Sequence, residues 1–215
     1  MSGIPAQPGV GGVYAVLDAC VLIPARLSDM LFDLALQHCF QPLWTVDIEA
    51  EFLKNWTRVI QNRSKDAPVD PAGAQHRLEC YRATTDQYEV FGYARDEIVA
   101  KVPDNTDEKD WHVNAAALSF QSSLEDSKAS VYVVSANTKH LAVRQMASLG
   151  IIVIKPGPFI DMLQAKAPSR VTRAMKKVIK DLKNPPYTVE QLVAALKLHG
   201  AKQTAAAFES IQAGK

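Results

Sequence analysis

Short apolar runs at Val13–Leu17, Val131–Val134 and Ile151–Ile154 alternate with segments whose apolar residues recur at helical spacing. That alternation is the pattern of parallel strands joined by helical crossovers. The expected fold is therefore α/β, a three-layer α/β/α arrangement around a central parallel sheet. A helix is expected from Leu27 to Cys39, where Leu27, Leu31, Leu34 and Ala35 share a face, followed by a short strand from Gln41 to Trp44. Thr45 can cap a further helix that gathers Ile48, Phe52, Trp56, Val59 and Ile60 on one arc. Residues 61–70 read as a polar loop, 72–90 as helix, and Thr138 to Leu149 as the helix before the last strand. Pro156-Gly157-Pro158 reads as the close of the alternation.

Asp18 sits where the first apolar run stops. In an open α/β sheet ligands bind at the carboxyl ends of the strands, and a carboxylate buried there is costly unless a cation or a donor compensates it. Three further segments carry groups that could converge on it: Asp47, Glu49 and Glu51 after Thr45, the acid cluster Asp107-Glu108-Lys109-Asp110, and Ser135 and Asn137 at the end of the run beginning at Val131. With about 100° of rotation per residue, Glu51 falls at the edge of its helix's apolar arc beside Asn55. Glu49 points nearer the apolar arc and is either bent outward, the favoured reading, or a second buried acid, and periodicity alone leaves the two glutamates exchangeable. Asp107 is placed to cap the next helix, with Asp110 one turn inside on the same face as Asn114. The helix dipole alone favours acids in such a first turn. His112 projects to another side and reads as a packing or hydrogen-bonding histidine rather than a ligand.

Taken together, Asp18 in a strand-D-x-x-V/L-I/L setting, Glu51 six residues after Thr45, the block Asp107, Asp110, His112 and Val113, and the strand end Ser135-x-Asn137 resemble the PIN-domain ribonucleases. Among these they resemble the VapC-like toxins of bacterial toxin–antitoxin pairs, over roughly residues 13 to 160. The resemblance implies a PIN-like fold and a metal-dependent endoribonuclease that binds Mg²⁺ or Mn²⁺ through Asp18, Glu51 and Asp110. Asp107, Ser135 and Asn137 complete the implied catalytic set. An RNA substrate, a homodimer and an antitoxin that inserts a basic side chain into the acidic cleft follow from the same resemblance. Many relatives carry an acid where this chain has Asn137, so the site here is less negative.

The residues suit that chemistry on their own terms. Phosphodiester hydrolysis needs an activated water and neutralisation of phosphoryl charge, which a hard divalent ion on a few carboxylates provides. A haloacid-dehalogenase-type phosphatase would need an acid where Cys20 stands. A catalytically silent PIN-like module that holds RNA or a protein is the alternative, with Asn137 as its best support.

The 215-residue chain, 47% hydrophobic and 22% charged, fits one main core plus an appendage and holds no run long enough to cross a bilayer. Its start lacks a basic segment before an apolar one, so a disordered lead over residues 1–12 and a cytoplasmic location are expected. Cys20, Cys39 and Cys80 form no C-x-x-C pair and read as buried free thiols. The nuclease-like domain is expected over 13–164 and a helical C-terminal extension over 165–215. The net charge is only +1, so any nucleic-acid contact needs local basic groups. Arg170, Arg173, Lys177 and Lys180, with Lys176 and Lys183, gather on one arc of an amphipathic helix and are the candidate RNA contacts; a solvated face and a partner surface are the other readings. Thr188 to Gln191 reads as a capping box, His199-Gly200 as a helix stop, and Ala201 to Ile211 as a last helix.

Overall fold

The computed structural model describes residues 12–63, 71–85, 87–125, 128–183 and 186–213. Most of the N-terminal lead, residues 64–70 of the polar loop and Asn184-Pro185 lie outside the described residues. Strands β1 (Val13–Leu17), β2 (Gln41–Leu43), β3 (Ser130–Val134) and β4 (Ile151–Ile154) form an all-parallel sheet in the order β2-β1-β3-β4. Register runs from Leu43 through Val16 and Val133 to Val153. Every residue of β1 is buried, which requires cover on both faces of the sheet and explains why the run has no polar alternation. The chain steps from β1 to β2 on one side and to β3 on the other, so β1 and β3 flank the point where strand order reverses. Asp18 and Ser135 follow directly after these two strands, where an open α/β sheet leaves a crevice for a ligand.

The first crossover holds the short helix α1 (Ala19–Leu22) and α2 (Ala25–Leu36). Then come α3 (Val46–Arg63), α4 (Pro71–Ala83), α5 (Asp96–Val99) and α6 (Trp111–Ser122). The helix expected over 72–90 stops at Ala83, because residues beyond it run alongside the end of β2: Trp44 N–H donates to Tyr88 O at 2.9 Å and Val90 N–H to Trp44 O at 2.9 Å. The helix expected from Thr138 to Leu149 is likewise divided. A 3₁₀ turn, Thr138–His140, precedes α7 (Val143–Ser148), with Ala142 between them at a left-handed φ of 47°. Leu141 forms an antiparallel bridge with Thr106, which competes with helical hydrogen bonding at that point.

Pro156-Gly157-Pro158 does not end the structure; it opens α8 (Pro156–Lys166). Proline lacks only an N–H that a first helical turn leaves unpaired, so it is tolerated there. Helices α9 (Pro168–Asp181), α10 (Val189–Leu198) and α11 (Lys202–Ala213) follow. Thr188 and Gln191 make the expected capping box, and Gly200 takes the left-handed turn at φ 87° that stops α10. Helix α8 receives the start of α11: the carboxylate of Asp161 accepts from Gln203 N–H at 3.1 Å, Thr204 N–H at 2.8 Å and Thr204 Oγ1 at 2.7 Å. Gly157 permits that approach, since a Cβ there would lie 2.3 Å from the Gly200 carbonyl carbon and 2.3 Å from His199 O. Those neighbours are backbone and cannot swing away. Gly157→Ala is expected to lower stability by about 1–3 kcal/mol, the usual range for overpacking, read as a lower denaturation midpoint.

Candidate active site

Asp18 is a buried side chain, 7% exposed, at the N-cap of α1. Its Oδ1 accepts from Cys20 N–H at 3.2 Å, and its Oδ2 accepts from Ser135 Oγ at 2.6 Å and Cys20 Sγ at 3.1 Å. Three donors thus compensate the carboxylate that the apolar strand delivers to the crevice. Ser135 is itself fully buried and accepts from Asn137 N–H at 3.0 Å, so Asn137 supports the arrangement through its backbone while its residue stays exposed. Burial pushes the Cys20 thiol up to about 12, with the Asp18 charge adding to it, and the Sγ accepts from Ala136 N–H at 3.2 Å. A thiol held protonated in this way is a hydrogen-bond donor rather than a nucleophile.

Asp110 occupies the N-cap position of α6 but makes no side-chain capping bond. Burial raises its carboxyl pKa, and the charges of Asp18, Asp107 and Glu51 raise it further. Four acids from three separate stretches of chain therefore share one field. Asp107 is not a helix cap. Its Oδ1 accepts from Lys109 N–H at 3.0 Å and its Oδ2 faces His140 Nδ1 at 3.0 Å, contacts that hold residues 107–110 as a turn and lower the Asp107 pKa. Helix α6 consequently starts at Trp111, and Asp110 lies at its mouth rather than one turn inside.

Glu51, on α3, is half-buried, with Oε1 accepting from Asn55 Nδ2 at 3.3 Å and Oε2 at 3.6 Å from His112 Nε2. The latter is longer than a hydrogen bond, so it acts as an ion pair when the imidazole is protonated. Burial works to lower the His112 pKa, but Glu51 first, then Asp47 and Asp18, outweigh it and raise it. Glu49 takes the less favoured of its two expected positions, that of a second buried acid. It does not bend outward: it is 7% exposed, and Oε1 accepts from Trp44 Nε1 and from Arg82 Nε, each at 2.9 Å, while Oε2 pairs with Arg82 Nη2. Its negative charge is spent inside the protein, which leaves Glu51 as the acid of this helix that reaches the cluster.

Oxygen atoms dominate the donor set, which suits a hard divalent ion. Asp107, Asp110 and His140 offer ligand atoms that all lie within 4.8 Å of one another. A nitrogen from His140 is taken more readily by a transition ion such as Mn²⁺ than by Mg²⁺. Spacing in the chain carried no signal for His140. It arrives through the Thr106 to Leu141 bridge and through buried Asn114, whose Nδ2 donates to Thr106 Oγ1 at 3.0 Å and Leu141 O at 3.2 Å.

Residues 156–210 match the family model of the VapC50 C-terminal domain. The matched segment is about a quarter of the chain, runs from the first residue of α8 into α11, and includes none of the acids of the crevice. It points to a VapC-type protein through the C-terminal helices, independently of the N-terminal motifs. No curated protein and no solved structure matches the chain.

That same helical segment alters how the basic arc reads. Helix α9 packs on α2, and Arg170 Nη1 donates to His38 O at 3.0 Å, Arg173 Nε to Gln37 Oε1 at 3.1 Å, and Lys177 Nζ pairs with Asp33 Oδ1 at 3.0 Å and with Asp181. Much of the charge gathered by helical periodicity is therefore directed at the α2 C-terminus, where cations are favoured by the helix dipole. Lys180 is exposed, as are Lys176 and Lys183. The thiols also divide: Cys39 is buried and pushed up to about 11 by that burial, whereas Cys80 is exposed rather than buried.

Proposed function

We propose that the protein is a metal-dependent endoribonuclease and the toxin of a toxin–antitoxin pair. The observation that carries this reading is the cluster of acids at the strand-order reversal, where Asp107, Asp110 and His140 offer ligand atoms within 4.8 Å of one another and burial with the charges of Asp18, Asp107 and Glu51 raises the Asp110 pKa. Acids that repel one another in this way are poised for a cation. Asp18, Glu51 and Asp110 would hold it, with Asp107 and His140 beside them. A bound Mg²⁺ or Mn²⁺ would supply neutralisation of the transferred phosphoryl charge and water made nucleophilic at neutral pH.

The chain's own residues set the geometry. Ser135 and the Cys20 N–H fix the direction of the Asp18 carboxylate, Asn55 and His112 fix Glu51, and Lys109 N–H and His140 fix Asp107. Buried Ser135, held by the Asn137 N–H, would act from behind the Asp18 carboxylate, and the exposed Asn137 side chain is the group that would orient water or phosphate. Lys176 and Lys180 of α9, with Lys183 just beyond its end, are the exposed basic groups best placed to meet an RNA backbone; Arg170, Arg173 and Lys177 would do so only by giving up their contacts to α2 or its C-terminal turn. An antitoxin, a homodimer and a cytoplasmic location belong to the same proposal. No described helix is long and apolar enough to cross a membrane.

The test is cleavage of end-labelled RNA by the purified chain. Internal cuts are expected with Mg²⁺ or Mn²⁺, lost on EDTA and restored by excess metal. Cleavage that persists in EDTA would overturn the assignment, and tight RNA binding without cleavage under any divalent ion would favour a silent binding module.

A further inference from the structure

An aromatic rim borders the acid crevice on the side of Asp47. Trp111 follows Asp110 directly, and its ring lies 6.3 Å from that of Tyr93 at an interplanar angle of 33°. The Tyr93 hydroxyl donates to Asp47 Oδ2 at 2.9 Å. Asp47 and Glu51 are one helical turn apart on α3 and so share a face, which places the Tyr93 ring along the line from the α3 acids to the mouth of α6. Both rings are only partly buried, and Phe91 nearby is 72% exposed.

The rim is built into the scaffold. Val90 N–H is bonded to Trp44 at the end of β2, Phe91 O accepts from Ser119 Oγ of α6 at 2.8 Å, and Gly92 turns the chain at φ 71° with its carbonyl accepting from Arg95 N–H at 3.3 Å. A Cβ on Gly92 would lie 2.8 Å from Arg95 Nε, so the turn has no room for a side chain without displacing that arginine. Trp111 and Tyr93 both pack against the hydrophobic core and yet stay partly exposed beside an anionic centre. Partly exposed aromatic faces are the surfaces on which unpaired bases stack.

We infer that Trp111 and Tyr93 form a base-stacking subsite for a nucleotide flanking the scissile phosphate. The inference rests on the reading of the site as an RNA-cleaving centre. A phosphate held at the acids brings the bases on either side of it against the walls of the crevice. A base in a duplex is already stacked and paired, so its face is closed to the rim; a base in a single strand is open. Stacking is tolerant of base identity because every base has a π-face, so the subsite selects strandedness and position more than sequence.

The test uses the full chain carrying Asp18→Asn, so that RNA is bound without being cut. Affinity is measured for one single-stranded RNA and for a series in which one abasic site is walked along it. Loss of the base at one position, or at two adjacent ones, is expected to weaken binding about 5- to 100-fold, the range of a single base-to-aromatic stack. Adding Trp111→Leu or Tyr93→Leu should weaken binding of intact RNA and erase most of that abasic penalty, while Trp111→Phe should keep it. Melting curves identify a variant that fails to fold, and the Trp111→Phe and Tyr93→Leu pair then carries the comparison. Equal affinity for every abasic RNA, or the same penalty with and without the rings, would overturn the inference; a rim serving a protein partner would give that result. Cleavage without any base dependence would sink the subsite and spare the nuclease reading, whereas a base-dependent penalty in a chain that never cleaves would do the reverse.

Discussion

Asp110→Asn is expected to abolish RNA cleavage and, in the same protein, to raise the melting temperature of the metal-free chain. Folding holds the Asp110 carboxyl above its usual pKa through burial and the charges of Asp18, Asp107 and Glu51. For an acid shifted in that direction, the folded state binds more protons than the unfolded state between the two pKa values, so stability falls as pH rises through them and the full penalty is present above the folded-state pKa. Asparagine removes the charge and the penalty, and no capping bond is lost because Asp110 makes none. Catalysis moves the other way. Outer-shell partners of metal sites cost about 10- to 100-fold when removed, and a direct ligand is expected to cost at least ~100-fold. In the wild-type chain, cleavage should decline as pH falls through the raised Asp110 pKa, because the protonated carboxyl no longer binds a cation. Melting curves with and without Mn²⁺ check the stability half: the ion should stabilise wild type more than the variant. A lower melting temperature for metal-free Asp110→Asn would show that the carboxylate is structural.

Glu49→Ala should damage the fold, whereas Glu51→Gln should damage only the chemistry. Removing Glu49 leaves the buried Trp44 indole N–H without its acceptor and Arg82 without its carboxylate. Hydrogen bonds to charged groups contribute about 1.5–3 kcal/mol, and Arg82 keeps some access to water, so a loss of about 2–4 kcal/mol is expected. Urea denaturation would show it as a lower midpoint with little change in slope. Glu51 is half-exposed, and its amide analogue can keep the bond from Asn55 while losing the charge. Stability of Glu51→Gln near that of wild type, with cleavage lost, would separate the two roles; the opposite pattern would mean that the two glutamates have been assigned the wrong way round.

The contrast between these neighbours shows what sequence could and could not carry. The sheet was legible because wholly apolar strands have few alternatives to burial on both faces, and Asp18 was legible because it interrupts such a run at its carboxyl end. Helical period put Glu51 at the edge of its arc but left it exchangeable with Glu49, and only the six-residue spacing from Thr45 in the resemblance favoured it. Glu49 was not legible, because its fate depends on Trp44 and Arg82, the second of which lies 33 residues away on another helix. His140 depended on a bridge between Thr106 and Leu141 that no local pattern announces. Helical period gathered the basic arc of α9 as far as Lys180, carried Lys183 past the helix end at Asp181, and could not say that α2 would meet part of the arc. Helix α8 was hidden behind Pro156-Gly157-Pro158, since a proline that starts a helix and one that stops a strand look alike until the partner at Gly200 is in place.

The most direct measurement is a titration of the metal-free chain with Mn²⁺, followed by electron paramagnetic resonance, for wild type and for Asp18→Asn, Glu51→Gln and Asp110→Asn. Glu97→Gln, an exposed acid paired with Arg95, serves as the control. Binding should be saturable in wild type and in the control, and at least ~10-fold weaker in each of the other three, which are expected to stay folded. Equal Mn²⁺ affinity across all five proteins, or saturable binding in none of them, would contradict a metal centre built by these acids.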